Sequence, residues 1–445
     1  MRAQDELTAW LDTTLETLDI AGVAVGVQHA GRTTLHCRGV SDRRTQRPVT
    51  ADTMFQVASA TKPFTATAVL RLHEQGQLDL DLPVLTYLPD LRLGDEAATG
   101  ALTTRHLLTH TGGFEGDDSP IQEWGADVLD RSLVELATLP QIFEPGKAMS
   151  YSNSGFRLLG ILAQRISGLP YDQLIRETVL EPLQMNSSHF LPWEVVGRDV
   201  ALGHGTADGG LDPWPYSQWR SELPEGGLLS SISDMMTWAD FQLHGTTTGE
   251  DVLSDELRLC AQSPVAPAGP PLTGVGMPWH LSEQHGTHLV SHGGNLSNVT
   301  ISTFDLVPDH GLAVCVLANA RAGKALGERL LRWCLENLCG LQPSAGARPV
   351  ALAASEAVAY SGNYALGLGT FVVEQRTPGL RITIKPNSGL AEEHDEFPPV
   401  DVVALGNDLF GLASDPSRAT AAFVRGEDGT PSILHMMGRA AIKQH

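Results

Sequence analysis

Residues 53–74 constrain this chain more than any other stretch. A strand-like run, Thr53 to Val57, passes without a loop into an amphipathic helical run from about Thr61 to Glu74, and Gly76 follows in a C-cap role. Ser59 and Lys62 sit at the junction. Residues three apart share a helix face, so the amine reaches the hydroxyl. The partial positive charge of a helix N-terminus favours the neutral amine and lets the Ser59 N–H face a developing oxyanion. Pro63 falls in the first turn, where a missing N–H costs nothing. Of five lysines (Lys62, Lys147, Lys324, Lys385, Lys443), only Lys62 has a serine three positions earlier. The competing structural reading is a solvated lysine one turn from an N-cap serine.

An ordinary lysine, near pKa ~10.4, is protonated at neutral pH and is no base. Burial and the helix dipole must therefore depress Lys62 if it is to take a proton from Ser59. The serine would then form an ester with an acyl group, and water or an amine would release it.

At 445 residues the chain predicts two domains rather than one. A net charge of −22 argues against nucleic acid and anionic membranes as partners. The opening Met-Arg-Ala-Gln-Asp-Glu-Leu has no apolar h-region, and no apolar run approaches the ~18 residues of a membrane span. A cytoplasmic location is the expectation. Five cysteines (Cys37, Cys260, Cys315, Cys334, Cys339) show no Cys-x-x-Cys spacing and read as reduced structural thiols. Neither His-Glu-x-x-His nor a phosphate or dinucleotide loop is present, so no metal and no cofactor is expected.

Leu7, Leu11, Leu15 and Leu18 mark an opening helix, and residues 21–39 a β-hairpin feeding an antiparallel sheet. Residues 107–114 read as a helix end running into a glycine turn, and 155–168 and 233–243 as helices. Residues 190–222, rich in Pro, Gly and Trp (Trp193, Trp214, Trp219), read as a long functional loop, a pocket rim or lid. Strands 288–291, 297–304 and 311–318 precede a closing helix near 323–338. The organisation expected is a catalytic domain over 1–340, a linker over 341–355 and a small all-β sandwich or barrel over 356–445.

Two further motifs follow the serine. In Tyr151-Ser152-Asn153 the phenol could be held partly as phenolate or relay a proton, and the amide could orient Lys62 and bind a substrate carbonyl. In His292-Gly293-Gly294 the glycines let a substrate backbone approach a strand, with the histidine on the wall opposite Ser59. A tyrosine before a helix and one histidine among 16 are, taken singly, ordinary packing residues.

In this order and spacing the three motifs resemble the serine β-lactamase and penicillin-binding-protein superfamily, in its class C β-lactamase-like branch. Residues 107–114, 181–185 and 226–234 resemble recurrent stretches of the same branch. The resemblance covers about residues 5–340. It implies an α/β domain beside an all-α subdomain, with the site in the cleft between them. It also implies Ser59 as nucleophile, Lys62 as base, Tyr151 as proton shuttle, Asn153 and His292 lining the site, Gly294 on the substrate-binding strand, and an oxyanion hole from the Ser59 and Asn295 N–H groups. His-Gly-Gly departs from the Lys-Thr-Gly of true β-lactamases, which argues against antibiotic hydrolysis as the main role.

The C-terminal segment resembles the lipocalin-like appendage of stand-alone penicillin-binding-protein-type thioesterases, the cyclases of nonribosomal peptides. That resemblance implies a peptidyl thioester on a carrier protein as substrate, with a D-configured acyl residue. It also implies a basic residue reaching the cleft from the appendage, here Arg439 in Met436-Met437-Gly438-Arg439. Plain hydrolysis of a small acyl substrate, as by a D-stereospecific aminopeptidase or an esterase, is the alternative. A catalytically silent binding protein using the same cleft is a third reading, opposed by the intact Ser59, Lys62 and Tyr151. Oligomeric state is left open.

Overall fold

The computed structural model describes residues 2–117, 119–207, 210–245, 252–343, 346–367, 369–386 and 398–444. Residues 208 and 209 of the expected loop, and 344 and 345 of the expected linker, lie outside them. A mixed layer comes first. Its antiparallel sheet runs Arg47–Pro48, Arg32–Asp42, Gly22–His29, Leu312–Ala318, Thr300–Val307, Thr287–Ser291, His280–Gln284, Gly274–Val275, and Gly294–Leu296 pairs separately with Thr300–Val307. The central strands Gly22–His29 and Leu312–Ala318 are almost wholly buried because both faces are covered. Helices Arg2–Leu15 and Gly323–Asn337 cover one face through Leu7, Leu11, Leu326 and Leu330. Helix Ile232–His244 covers the other, and at Gly26 a side chain would lie only 2.4 Å from Met236 Sδ.

The helical subdomain stacks Lys62–Glu74 on Asn153–Ser167. Both are buried nearly all round, as expected of helices at the centre of a core. Phe64 stacks on Trp238 at 4.0 Å between ring centroids and ties the subdomain to the sheet layer.

The C-terminal segment resolves the sandwich-or-barrel alternative. Among the described residues, eight antiparallel strands from Gly362–Leu366 to Arg439–Lys443 form a closed barrel, shut by Tyr364 opposite Lys443 and Ala365 opposite Ile442. Closure leaves no exposed strand edge. Tyr364, Phe371, Phe410, Phe423 and Leu434 fill the interior, as side chains do in the narrowest eight-stranded barrels. The barrel serves as a buttress. Its last hairpin packs Ile433 and Ala440 on Phe143 and Ala148. The Ala440 N–H donates to Ser150 Oγ at 3.2 Å, and the Tyr151 N–H to the Gly438 carbonyl at 2.9 Å. Among the described residues, no helix is long and apolar enough to cross a membrane, and the five cysteines are free thiols.

Candidate active site

The turn bearing Ser59 is held from several sides. Strand Met54–Gln56 enters a 3₁₀ turn, Ala58–Thr61, and the α-helix begins at Lys62. Ala58 has φ +48°, a left-handed conformation that a residue with a Cβ adopts only under constraint. The constraint is visible. The Val57 N–H donates to the Leu228 carbonyl at 2.9 Å, Ser302 Oγ to the Val57 carbonyl at 2.7 Å, and Thr61 Oγ1 to the Ala58 carbonyl at 2.7 Å. Gly294 lies against the same turn: a Cβ there would sit 2.1 Å from the Val57 oxygen and 2.9 Å from the Ser59 nitrogen. Only glycine lets that strand come so close.

Lys62 is fully buried. Its Nζ lies 2.6 Å from the Glu225 carbonyl oxygen, 2.7 Å from Asn153 Oδ1 and 3.2 Å from Ser59 Oγ. A neutral amine has two N–H donors and one lone pair. The two oxygens that can only accept take the donors, and the lone pair is left for the Ser59 hydroxyl proton. Burial pushes the amine down to about 7, against the opposing charges of Glu225 and Asp117, with Arg439 adding to the depression. Burial, one of the two causes expected from the sequence, is the largest. A buried ion pair, Arg157 Nη2 to Glu225 Oε1 at 3.3 Å, anchors the segment that supplies the Glu225 carbonyl.

Tyr151 lies beside the pair, with Lys62 Nζ 4.8 Å from its ring centroid. Burial pushes the phenol well above its ordinary range, and a hydrogen bond with Ser59 draws it back only in part. That direction favours the proton relay over the phenolate, the two options offered by the sequence: a neutral phenol can both donate and accept. His292 also departs from expectation. It does not face the open cavity opposite Ser59 but is buried behind Tyr151, stacked on His280 at 4.8 Å between centroids.

His110 packs on Tyr151 at 4.5 Å and completes a trio with His280 and His292 whose ring nitrogens lie within 4.8 Å of one another. The trio does not suit a metal. The Ser152 N–H donates to His110 Nδ1 at 3.0 Å, which puts the ring's proton on Nε2. Separations up to 4.8 Å also exceed the about 3.3 Å between nitrogens of a tetrahedral zinc site. Burial holds His110, His280 and His292 below the usual imidazole range, so they stand neutral around the phenol.

Arg439 reaches the cleft from the barrel. Its guanidinium carbon lies 5.1 Å from the Tyr151 ring centroid, and Nη2 lies 2.5 Å from Asp117 Oδ2. Asp117 Oδ1 accepts from Asn153 Nδ2 at 2.7 Å. A cavity of about 110 Å³ opens over Ser59, walled by Gln56, Asn153, Gln218, Asn295 and Leu296. The aromatic loop forms part of this wall. Gln218, in hydrogen-bond contact with Gln56, Tyr216 and the Gly227 carbonyl, pins it in place, and the Trp124 ring packs against those of Trp193 and Trp219.

The structure thus gathers Ser59, Lys62, Tyr151, Asn153, Gly294, Asn295 and Arg439 around one cleft and sets His292 behind it. Asp117, Glu225, His110 and His280 were not singled out from the sequence. His110 and Glu225 fall in or beside stretches already recognised as recurrent. Asp117 is one of 52 acidic residues and carries no local signal.

The beta-lactamase family profile matches residues 7–334. Penicillin-binding protein 4 of Amycolatopsis lactamdurans is 30% identical over 350 residues, 75% of this chain and 91% of the relative. Esterase EstB of Burkholderia gladioli is 35% identical over 204 residues, 42% of this chain and 52% of the relative. Among solved structures, SurE aligns over 100% of this chain and 99% of its own, with TM-score 0.79 and 27% identity.

Proposed function

As the chain belongs to the beta-lactamase family, we propose that it is a cytoplasmic serine acyltransferase that takes a peptidyl thioester from a carrier protein and releases the peptide by head-to-tail macrolactamisation. Neutral Lys62 accepts the Ser59 proton as Oγ attacks the thioester carbonyl. The N–H groups of Ser59 and Asn295 receive the oxyanion. The carbon–sulfur bond breaks, the thiol leaves with a proton, and a peptidyl-Ser59 ester remains. The peptide's own terminal amine then attacks the ester, and Tyr151 passes the amine's proton back to Ser59 Oγ. A D-configured acyl residue is the substrate class that the resemblance to the cyclising thioesterases favours.

The observation that carries this reading is the likeness to SurE over both lobes, barrel included. Arg439 supports it: this barrel residue reaches Tyr151, and its Nη1 is buried without a hydrogen-bond partner among the described residues, a donor suited to a peptide carbonyl. A walled cavity over Ser59 also favours a tethered amine over water, through effective molarity. The esterase relative keeps hydrolysis as the second reading. A synthetic peptidyl thioester ending in a D-residue separates the two by mass spectrometry. Thiol release without added water means cyclisation, whereas exclusive gain of water overturns the cyclase reading.

A further inference from the structure

The Lys62–Asn153 contact continues beyond the motif residues. We propose that Asp117 is a positioning residue for acylation, which sets the direction of the Asn153 amide and holds the barrel's Arg439 over the catalytic tyrosine. The proposal rests on the Ser59 acyl-enzyme reading above, though not on cyclisation.

An amide presents an acceptor at one end and donors at the other. Asn153 Oδ1 faces Lys62 at 2.7 Å, and Nδ2 faces Asp117 Oδ1 at 2.7 Å. A carboxylate only accepts, so it admits the Nδ2 end alone and forces the oxygen toward the lysine. Flipped, Asn153 would put two donors against an amine that needs its lone pair for Ser59. The carboxylate's other oxygen holds Arg439 Nη2 at 2.5 Å. Asp117 is itself fixed. The Asn153 and Ser154 N–H groups both donate to the Gly116 carbonyl, at 2.7 and 2.9 Å, and a Cβ on Gly116 would lie 2.5 Å from the main-chain carbonyl oxygen of Tyr151. The loop 115–117 is therefore clamped to the start of the Tyr-x-Asn helix.

Charge follows geometry. Lys62 is faced by Asp117 from this loop, by Glu225 from the Leu223–Gly226 turn, by Arg439 from the barrel, and by neutral Tyr151, His110, His280 and His292. Asp117 stabilises the Lys62 ammonium and Arg439 opposes it.

Three variants separate these roles. Asp117→Asn keeps an acceptor for Asn153 and removes the charge, Asp117→Ala removes both, and Arg439→Met removes the opposing charge. With only five lysines, the Lys62 side chain can be followed by NMR on lysine-labelled full-length protein. Both Asp117 variants are expected to move the Lys62 midpoint below about 7, and Arg439→Met to move it above. On p-nitrophenyl butyrate, Asp117→Ala is expected to lower kcat/KM about tenfold more than Asp117→Asn, chiefly through kcat, one hydrogen bond's worth of transition-state alignment. Circular dichroism confirms the fold of each variant. An unmoved Lys62 midpoint, or equal kcat for Asp117→Asn and Asp117→Ala, overturns the positioning role. A wild-type enzyme that neither turns over the ester nor acylates Ser59 overturns the acyl-enzyme reading instead, while the NMR midpoints still report on Asp117.

Discussion

The main-chain N–H of Tyr151 donates to the carbonyl of Gly438, at 2.9 Å, so the tip of the barrel's last hairpin holds the backbone of the tyrosine beside the nucleophile. The barrel is built into the site. A wedge such as Ala440→Glu, placed where Ala440 is buried against Phe143 and Ala148, is expected to reduce turnover of even a small ester by tenfold or more, on the order of one aligned hydrogen bond. Near-normal ester turnover by a variant whose interface is shown by hydrogen exchange to be open would count against this.

Arg439→Ala is expected to impair a peptidyl thioester more than p-nitrophenyl butyrate. On the cyclase reading, the peptide chain of the longer substrate is what meets the guanidinium, which lies beside Tyr151 and Asp117. The comparison is the ratio of kcat/KM values for the two substrates. An equal loss on both would deny Arg439 any part in peptide selection.

Ser59→Ala is expected to abolish turnover and the acyl adduct seen by intact-protein mass spectrometry, with the melting temperature little changed. Its hydroxyl contacts Lys62 and Tyr151 at the mouth of a cavity rather than filling the core.

The pH dependence of acylation follows from Lys62. The base is active when neutral, and burial places its midpoint at about 7, so kcat/KM should rise as pH passes upward through about 7. Stability has the same sign. The unfolded chain holds this proton up to 10.5 and the folded chain releases it at about 7, so between those values the unfolded state binds more protons and stability rises with pH. At about 1.4 kcal/mol per unit, the penalty for burying the ammonium approaches roughly 5 kcal/mol below pH 7, an upper bound. Lys62→Met should therefore be inactive, and its stability advantage over wild type should shrink between pH 7 and 10. Parallel denaturation curves across that range would refute the depressed lysine.

Gly160 links packing to chemistry. A Cβ there would lie 2.1 Å from Pro224 Cγ, next to the residue whose carbonyl accepts from Lys62. Gly160→Ala is expected to destabilise by about 1–3 kcal/mol in urea unfolding and to lower kcat, because the overpacked helix pushes the Leu223–Gly226 turn off the lysine. Wild-type kcat with reduced stability would uncouple the two.

The strand-to-helix junction, the opening hairpin, the helices near 155–168 and 233–243 and the all-β character of the last segment are legible from local pattern. Each is written in periodicity and turn residues a few positions apart. Ser59 and Lys62 are legible for the same reason, since an i, i+3 pair at a helix start is brought together by the helix itself. Barrel closure is not, because pairing Tyr364 with Lys443 joins the two ends of the domain. Nor is Asp117, whose partners Asn153 and Arg439 come from a helix and from the other lobe.

The sequence alone therefore determined which hydroxyl and which amine meet, and in what order the tyrosine, asparagine and histidine follow them. Tertiary structure decided their electrical state. Burial set Lys62 near neutrality, kept Tyr151 a phenol and drew His292 behind it, and the docked barrel placed Arg439 against Asp117. The physical reason is that desolvation and ion pairing depend on everything that surrounds a group in space, and chain neighbours supply only a part of that surrounding.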